Sequence, residues 1–124
     1  MKSCLVVDDS SVIRRVARRI LEDIDFVVDE AEDGQEAFEK CRKEMPDAIL
    51  LDSSMPIMNG LEFLRQLRSF VGGEKPKIVF LTTENDVGHI AMALKAGANQ
   101  YCMKPFDRDI LESKFLDLVA SQDR

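Results

Sequence analysis

Three aspartates stand where buried strands of the sequence would end. Asp8 and Asp9 follow the apolar run Cys4–Val7, and Asp52 follows the apolar run Ala48–Leu51. Because the sites of open parallel α/β sheets form beyond the carboxyl ends of the strands, we expect these carboxylates to meet at one edge. Carboxylates at close range repel one another, and a hard divalent cation relieves that repulsion. The pattern therefore predicts a Mg²⁺ site.

A hydroxyl and an ammonium group follow two further apolar runs. Thr82 follows Ile78–Leu81, and Lys104 follows Gln100–Met103. A carboxylate can act as a nucleophile and form an acyl phosphate, while a cation and a lysine stabilise the added phosphoryl group. The Thr82 hydroxyl can donate a hydrogen bond to a phosphoryl oxygen. Each of these side chains alone is an ordinary solvated loop residue, but their convergence on one edge favours phosphoryl chemistry.

The elements that must position these residues follow from hydrophobic periodicity. Apolar strands without a period of two are buried on both faces, and their alternation with helices indicates right-handed βαβ units. We therefore expect a doubly wound five-stranded parallel sheet flanked by five helices. The predicted strands are Cys4–Val7, Phe26–Ala31, Ala48–Leu51, Ile78–Leu81 and Gln100–Met103. The predicted helices are Ser11–Leu21, Gly34–Lys43, Leu61–Leu67, Val87–Ala96 and Asp107–Val119, the last capped by Asp107.

The first predicted helix has an apolar and a basic face. Its arginines are expected to point outward, and its apolar residues are expected to point inward; these are Val12, Ile13, Val16, Ala17, Ile20 and Leu21. His89 is the only histidine of the chain. It belongs to the fourth predicted helix, and we expect it on the surface, away from the strand-end motifs.

The composition argues against several classes of protein. A chain of 124 residues with a formal net charge of −6 lacks the basic surface that nucleic acids require, so no nucleic acid is expected as a partner. No apolar run approaches the roughly 20 residues of a membrane span, and the first residues lack a signal-peptide layout. We therefore expect a cytoplasmic protein that does not bind membranes. The three cysteines, at positions 4, 41 and 102, are expected to be reduced and inert.

Four segments resemble the receiver domains of two-component response regulators, and most closely the stand-alone chemotaxis type. They are Leu5–Ser10, Leu51–Gly60, Leu81–Thr83 and Met103–Phe106. The resemblance covers the whole chain. It implies the flavodoxin-like strand order 2-1-3-4-5. It also implies one receiver domain over residues 1–124 with no output domain, acting as a phosphorylation switch and not as an enzyme on external substrates.

The resemblance also assigns roles to the residues of the predicted site. Asp52 resembles the phosphoacceptor, Lys104 the lysine that pairs with the phosphoryl group, and Thr82 the switch hydroxyl. Tyr101 resembles the aromatic residue that moves between exposed and buried positions. The isomer of the peptide bond between Lys104 and Pro105 is left open by the sequence.

The implied metal ligands come from two loops. Asp9 and Asp52 resemble the direct carboxylate ligands of Mg²⁺, and Asp8 would act largely through metal-bound water. Ser54 would supply its backbone carbonyl. Ser53-Ser54 stands where chemotaxis-type receivers often carry Trp-Asn, which leaves the lifetime of the phosphoryl group open. Thr83, bulkier than the usual Ala or Ser, could narrow access to the phosphoacceptor.

The expected partners are proteins. A histidine kinase or histidine phosphotransfer domain would deliver the phosphoryl group, and the start of the first helix lies beside the route. Ile13, Arg14 and Arg15 are therefore candidate docking residues. We expect a monomer that signals to a downstream protein, such as the flagellar motor or a kinase complex. A phosphate sink for a shared kinase is an alternative.

Rival functions fit the motifs less well. A phosphatase of the haloacid dehalogenase class carries a second acid two residues after its nucleophile, where this chain has Ser54. A flavodoxin-like electron carrier needs a phosphate-cradling loop after the first strand and aromatic residues around the flavin. This chain has Asp8-Asp9 in that loop, with no Trp and one Tyr. A receiver that functions without phosphorylation would not need these acids, Thr82 and Lys104.

Overall fold

The structure is a computed structural model that describes residues 2–83 and 87–122. Within these ranges, strands and helices alternate strictly along the chain. The strands are β1 (Lys2–Val7), β2 (Phe26–Ala31), β3 (Ala48–Asp52), β4 (Lys77–Thr82) and β5 (Gln100–Met103). The helices are α1 (Ser11–Asp23), α2 (Gly34–Lys43), α3 (Gly60–Ser69), α4 (Val87–Ala96) and α5 (Arg108–Gln122). Every predicted element is present, with small differences at the ends.

All neighbouring strands are parallel, in the order β2-β1-β3-β4-β5, which confirms the expected fold. The direction of winding changes between β1 and β3. Val7 of β1 lies opposite Leu51 of β3, so the residues that follow these two strands emerge side by side. This switch point is where sites form in such sheets.

Two hydrophobic layers bury the sheet, one on each face. Alternate strand residues point to opposite faces, so Val6 and Leu50 pack with α1 and α5, whereas Val7 and Leu51 pack with α2, α3 and α4. The central strands β3 and β4 are buried on both sides, which is why their sequences show no polar alternation, whereas the edge strands β2 and β5 carry exposed residues beside buried ones. This double cover holds the strand ends, and therefore the site, in fixed positions.

Local capping sets where several helices begin. Asn59 caps α3, and its side chain and that of Glu62 each accept a hydrogen bond from the other's backbone N–H. The Asp107 carboxylate accepts from the Ile110 N–H at 2.8 Å, which confirms Asp107 as the cap of α5. The structure therefore starts α3 at Gly60, one residue before the predicted start.

The inner face of α1 differs from the prediction. Ala17, Ile20 and Leu21 are buried as expected, but Val12 and Val16 are 64% and 47% exposed. Spacings of three and four fit more than one helix face, and the packing against β2 and α5 selects the rotation. The expectation that Val12 and Val16 point inward is wrong.

All three thiols are free and buried, which agrees with the expectation of inert cysteines. Burial raises the pKa of Cys41 to about 12, and it also raises the pKa of Cys4 and Cys102. A protonated thiol is a poor nucleophile and a poor metal ligand. In residues 2–83 and 87–122, no helix is long and apolar enough to cross a membrane.

Candidate functional site

The three strand-end aspartates meet as predicted. One oxygen each of Asp8, Asp9 and Asp52 can be chosen so that all lie within 4.8 Å of one another. Asp8 and Asp52 are 1% and 3% exposed, whereas Asp9 is exposed to solvent. Two buried carboxylates and one accessible carboxylate thus line the edge of the sheet at the β1–β3 switch point.

Backbone hydrogen bonds fix the loop that carries Asp8. Its N–H donates to the Ala31 carbonyl at 3.1 Å, which extends the pairing of β1 with β2 by one residue. Its Oδ1 accepts from the Ser10 N–H at 2.9 Å, and the Ser10 side chain caps α1 by accepting from the Ile13 N–H. The end of β1, the loop and the first turn of α1 therefore form one continuous hydrogen-bonded unit.

Lys104 lies between the two buried carboxylates. Its Nζ is 2.9 Å from Asp8 Oδ2 and 3.2 Å from Asp52 Oδ1, with only 15% of the side chain exposed. Its backbone N–H donates to the Thr82 carbonyl at 2.8 Å, which ties the end of β5 to the end of β4. The Lys104–Pro105 peptide bond is cis.

Burial determines the electrostatics of the pocket formed by Asp8, Asp52 and Lys104. Burial and the negative charge of Asp8 raise the pKa of Asp52 to about 6, although the Lys104 ammonium acts in the opposite direction. Burial alone would lower the pKa of Lys104, but the hydrogen bonds and charges of both carboxylates outweigh it and raise that pKa. Lys104 therefore stays charged, and the pocket holds more negative than positive charge.

The unfavourable burial of an ionised Asp52 should lower the stability of the metal-free protein. The pKa of Asp52 rises from 3.8 to about 6 in the folded state, so the folded state disfavours the carboxylate. Between about pH 4 and 6 the wild type should lose stability relative to Asp52→Asn, and above that window the gap stays constant. A rise from 3.8 to about 6 corresponds to a gap of roughly 3 kcal/mol at pH 7. Urea unfolding in EDTA at several pH values measures it, and a less stable variant at pH 7 would contradict it.

The loop after Asp52 needs a glycine at its far end. Gly60 donates its N–H to the Ser53 carbonyl at 3.2 Å, and a Cβ at Gly60 would collide with the Asp52 carbonyl oxygen. Ile57, between them, has a left-handed φ of 70°, which is rare for a β-branched residue. Gly60 stood in the recognised motif, but sequence reasoning gave it no role. The only indication of a structural role in the sequence was the position of Gly60 directly after Asn59, the cap residue of α3.

Ser54 lies two residues after Asp52, in the loop that leads to α3. It is exposed, and its N–H lies 3.5 Å from Asp52 Oδ1. It lines a cavity of about 420 Å³ together with Ser53 and His89. His89 is half-buried there, so the expectation that it lies away from the strand-end motifs is wrong. The α3 and α4 helices pack against each other, which brings the start of α4 to this loop.

The two residues assigned to switching differ in exposure. Thr82 is the last residue of β4 and is fully buried, whereas Tyr101 on β5 is 37% exposed. The Lys114 ammonium lies 4.9 Å from the centre of the Tyr101 ring, a distance that allows a cation–π contact. Residues 84–86 of the β4–α4 loop lie outside the described residues.

Arg14 does not point outward as expected. Its side chain is 16% exposed, its Nε donates to Glu30 Oε1 at 3.0 Å, and its Nη1 donates to the Asp8 carbonyl at 2.7 Å. Arg15 and Arg19, by contrast, are exposed. This inward position could not be predicted from the helix pattern of α1, because the partner carboxylate belongs to the edge strand β2.

The donor set at the sheet edge fits a divalent cation. Three carboxylates face one ammonium, and oxygen ligands at an open, water-accessible edge suit Mg²⁺. Asp9 is the accessible member of the three. Asp8 and Asp52 already contact Lys104, so a cation would share these two carboxylates with it.

Comparisons with known proteins agree with this geometry. A family model described as the response regulator receiver domain matches residues 4–116. The chain is 38% identical over 121 residues to the chemotaxis protein CheY1 of Helicobacter pylori, covering 96% of this chain and 98% of that protein. It is 44% identical over 115 residues to the response regulator MprA of Mycobacterium ulcerans, covering 93% of this chain but 49% of MprA. The solved structure of CheY4 from Vibrio cholerae matches with a TM-score of 0.89 at 33% identity, covering 94% and 98% of the two chains.

Proposed function

The chain belongs to the response regulator receiver domain family, and from this premise we propose that it is a switch that carries a phosphoryl group on Asp52. The observation that carries the proposal is the buried Asp52 carboxylate, which lies within reach of Lys104 and of two further acids. We propose the remaining roles as the resemblance implies them. Lys104 pairs with the added group, and Asp8, Asp9, Asp52 and the Ser54 carbonyl hold Mg²⁺.

The proposed transfer is a substitution at phosphorus. A carboxylate oxygen of Asp52 forms a bond to the phosphorus of a phosphohistidine, and the P–N bond breaks with its electron pair going to the imidazole, which takes a proton from solvent. The product is an acyl phosphate on Asp52. Lys104 lies 3.2 Å from the Asp52 carboxylate and supplies positive charge where the new oxygens arrive. A bound Mg²⁺ would add electrostatic stabilisation of the same charge.

The test of this function is phosphoryl uptake from acetyl phosphate. We expect the mass of one phosphoryl group to appear on the protein when Mg²⁺ is present, and to be absent when EDTA is added. A protein that is labelled equally in EDTA would contradict the Mg²⁺ dependence. A protein that is never labelled, in spite of a folded spectrum, would contradict the phosphoacceptor role.

Output is proposed to occur through protein contacts, in chemotaxis or motility. The face made by α4, β5 and α5 carries exposed apolar side chains, among them Met92, Tyr101 and Ile110. Gly88 weakens the start of α4 by about 1 kcal/mol relative to alanine, so this helix can respond to a change at its N-terminal end. Thr82 would move towards a phosphoryl oxygen, and Tyr101 would move inward.

This proposal predicts which regions of the protein change on phosphorylation. With beryllofluoride as a phosphoryl mimic, amide NMR shifts should change in α4, β5 and α5 as well as beside Asp52, and the Tyr101 ring should become less exposed. Thr82→Ala should confine the changes to the pocket. If the wild-type changes were also confined to the pocket, the output proposal would fail, and the chain would act as a phosphate sink.

The docking of a phosphodonor protein is proposed to use the start of α1. Arg15 is exposed there, and Ile13 is half-buried beside it. Arg14 is drawn inward by Glu30 and the Asp8 carbonyl, so it is less available to a partner than the sequence suggested. Exposed Val12 and Val16 add apolar contact surface on the same helix.

Docking can be separated from chemistry by the choice of donor. Arg15→Ala should slow transfer from a phosphorylated histidine kinase, most strongly at low salt, because it removes a steering charge from the contact surface. Labelling by acetyl phosphate should stay at the wild-type rate. Arg42→Ala, an exposed change on α2, serves as the control and should affect neither donor. Equal slowing with both donors would place Arg15 outside the docking surface.

A further inference from the structure

The loop that carries Asp8 and Asp9 is attached to the edge strand β2 by a chain of charged hydrogen bonds. Arg14 Nη1 donates to the Asp8 carbonyl at 2.7 Å, and Arg14 Nε donates to Glu30 Oε1 at 3.0 Å. Arg18 donates to the other oxygen of Glu30 and, at 2.7 Å, to the Val28 carbonyl. The loop is thus joined through two arginines and one carboxylate to the backbone of β2.

The carbonyl that Arg14 contacts belongs to the peptide unit between Asp8 and Asp9. This unit is planar, so fixing its oxygen fixes the orientation of the plane and the direction in which the Asp9 backbone leaves it. Asp8 has further restraints, since its N–H bonds Ala31 and its carboxylate bonds Ser10 and Lys104. Asp9 is exposed, and its side chain makes no ion pair within the part of the chain that the structure describes.

Arg14 is suited to this task by its position and its burial. It lies in the first turn of α1, where long side chains point back towards the helix N-terminus, and this direction leads to Asp8. The guanidinium fork donates to two acceptors at once, which a lysine ammonium on a flexible stem does less well. Glu30 is held in turn by Arg18, so Arg14 contacts a carboxylate that is itself fixed.

We propose that Arg14 is a positioning residue for the cation site, which orients the Asp8–Asp9 peptide so that the Asp9 carboxylate faces Asp52 before Mg²⁺ binds. The inference rests on the proposed function, because it concerns the same metal ligands. Arg14 itself touches neither the cation nor the phosphoryl group. Its contribution is to lower the conformational freedom that Asp9 would lose on binding Mg²⁺.

Mg²⁺ affinity, measured by titration of amide NMR shifts, is the direct readout. Arg14→Ala should weaken Mg²⁺ binding roughly tenfold, as expected when the partner of a metal-binding group is removed. Arg18→Ala is the matched control, because it also removes an arginine from Glu30 but leaves the Asp8 carbonyl contact in place. Its loss of Mg²⁺ affinity should be clearly smaller than that of Arg14→Ala, because Arg14 keeps its direct contact with the Asp8 carbonyl. Arg14→Lys should fall between wild type and Arg14→Ala.

Two further measurements separate positioning from damage to the fold. Urea unfolding in EDTA should show similar stability losses for Arg14→Ala and Arg18→Ala. In acetyl phosphate labelling, Arg14→Ala should need more Mg²⁺ for half-maximal rate but reach the wild-type rate at saturation. Equal loss of affinity in both alanine variants, or a lowered rate at saturating Mg²⁺ with unchanged half-saturation, would overturn the proposal. A wild-type chain that binds no Mg²⁺ would instead contradict the proposed function itself.

Discussion

Replacing Asp52 with asparagine is expected to abolish stable phosphorylation and to leave the fold intact. The amide has nearly the same volume as the carboxylate but lacks the anionic oxygen that attacks phosphorus. Asp52 is 3% exposed and belongs to the last position of β3, so an isosteric change avoids a cavity. Mass spectrometry after incubation with acetyl phosphate and Mg²⁺ should show a full adduct on the wild type and none on the variant.

The control for this experiment is the same chemical change at an exposed site. Asp117→Asn on α5 removes one carboxylate far along the chain from the strand ends and should be labelled like the wild type. A full adduct on Asp52→Asn would show that another residue accepts the phosphoryl group. In that case the adjacent acids, Asp8 and Asp9, would be the first candidates to examine.

Replacing Asp9 with alanine is expected to give the largest loss of Mg²⁺ affinity. Groups that only support a metal ligand contribute roughly ten- to a hundredfold to affinity, and Asp9 is proposed as a direct ligand, so we expect a loss beyond roughly a hundredfold. Asp9 is exposed and contributes little to the core, so the fold should survive. Calorimetric titration of Mg²⁺ into the folded variant measures the loss.

Two comparisons make the Asp9 result interpretable. Glu32→Ala removes an exposed acid near the same edge, after β2, and should change Mg²⁺ affinity only slightly through the net charge. Asp8→Ala should also weaken binding, and Lys104 would then lose one of its two carboxylate partners. Unchanged Mg²⁺ affinity in Asp9→Ala would show that the cation site is built from other ligands.

Much of the fold was predictable because its signals are local. Buried runs such as Ala48–Leu51 have no polar alternation, and this feature alone indicates a parallel sheet covered on both faces. The strand-end rule then brought Asp8, Asp52, Thr82 and Lys104 to one edge without knowledge of any contact. The strand order itself came from the family resemblance, since hydrophobic periodicity does not specify which strands are neighbours.

The parts that could not be predicted depend on contacts between distant segments. Arg14 is drawn inward by Glu30, which lies 16 residues further along the chain on another element. The rotation of α1, which exposes Val12 and Val16, is set by the surfaces it packs against and not by its own periodicity. His89 reaches the loop after Asp52 because α4 packs against α3. In each case the position of a side chain depends on a tertiary contact that cannot be inferred from the residues around it in the sequence.

The burial of the cysteines has a practical consequence for spectroscopy. With a pKa of about 12, the Cys41 thiol is ionised at pH 7 only to the order of 10⁻⁵, and it is enclosed by packed side chains. Cys4 and Cys102 are equally enclosed, so maleimide reagents should leave the native chain unlabelled. A single new cysteine at an exposed position of α4, such as Met92→Cys, could then carry a fluorophore or spin label in an otherwise wild-type background.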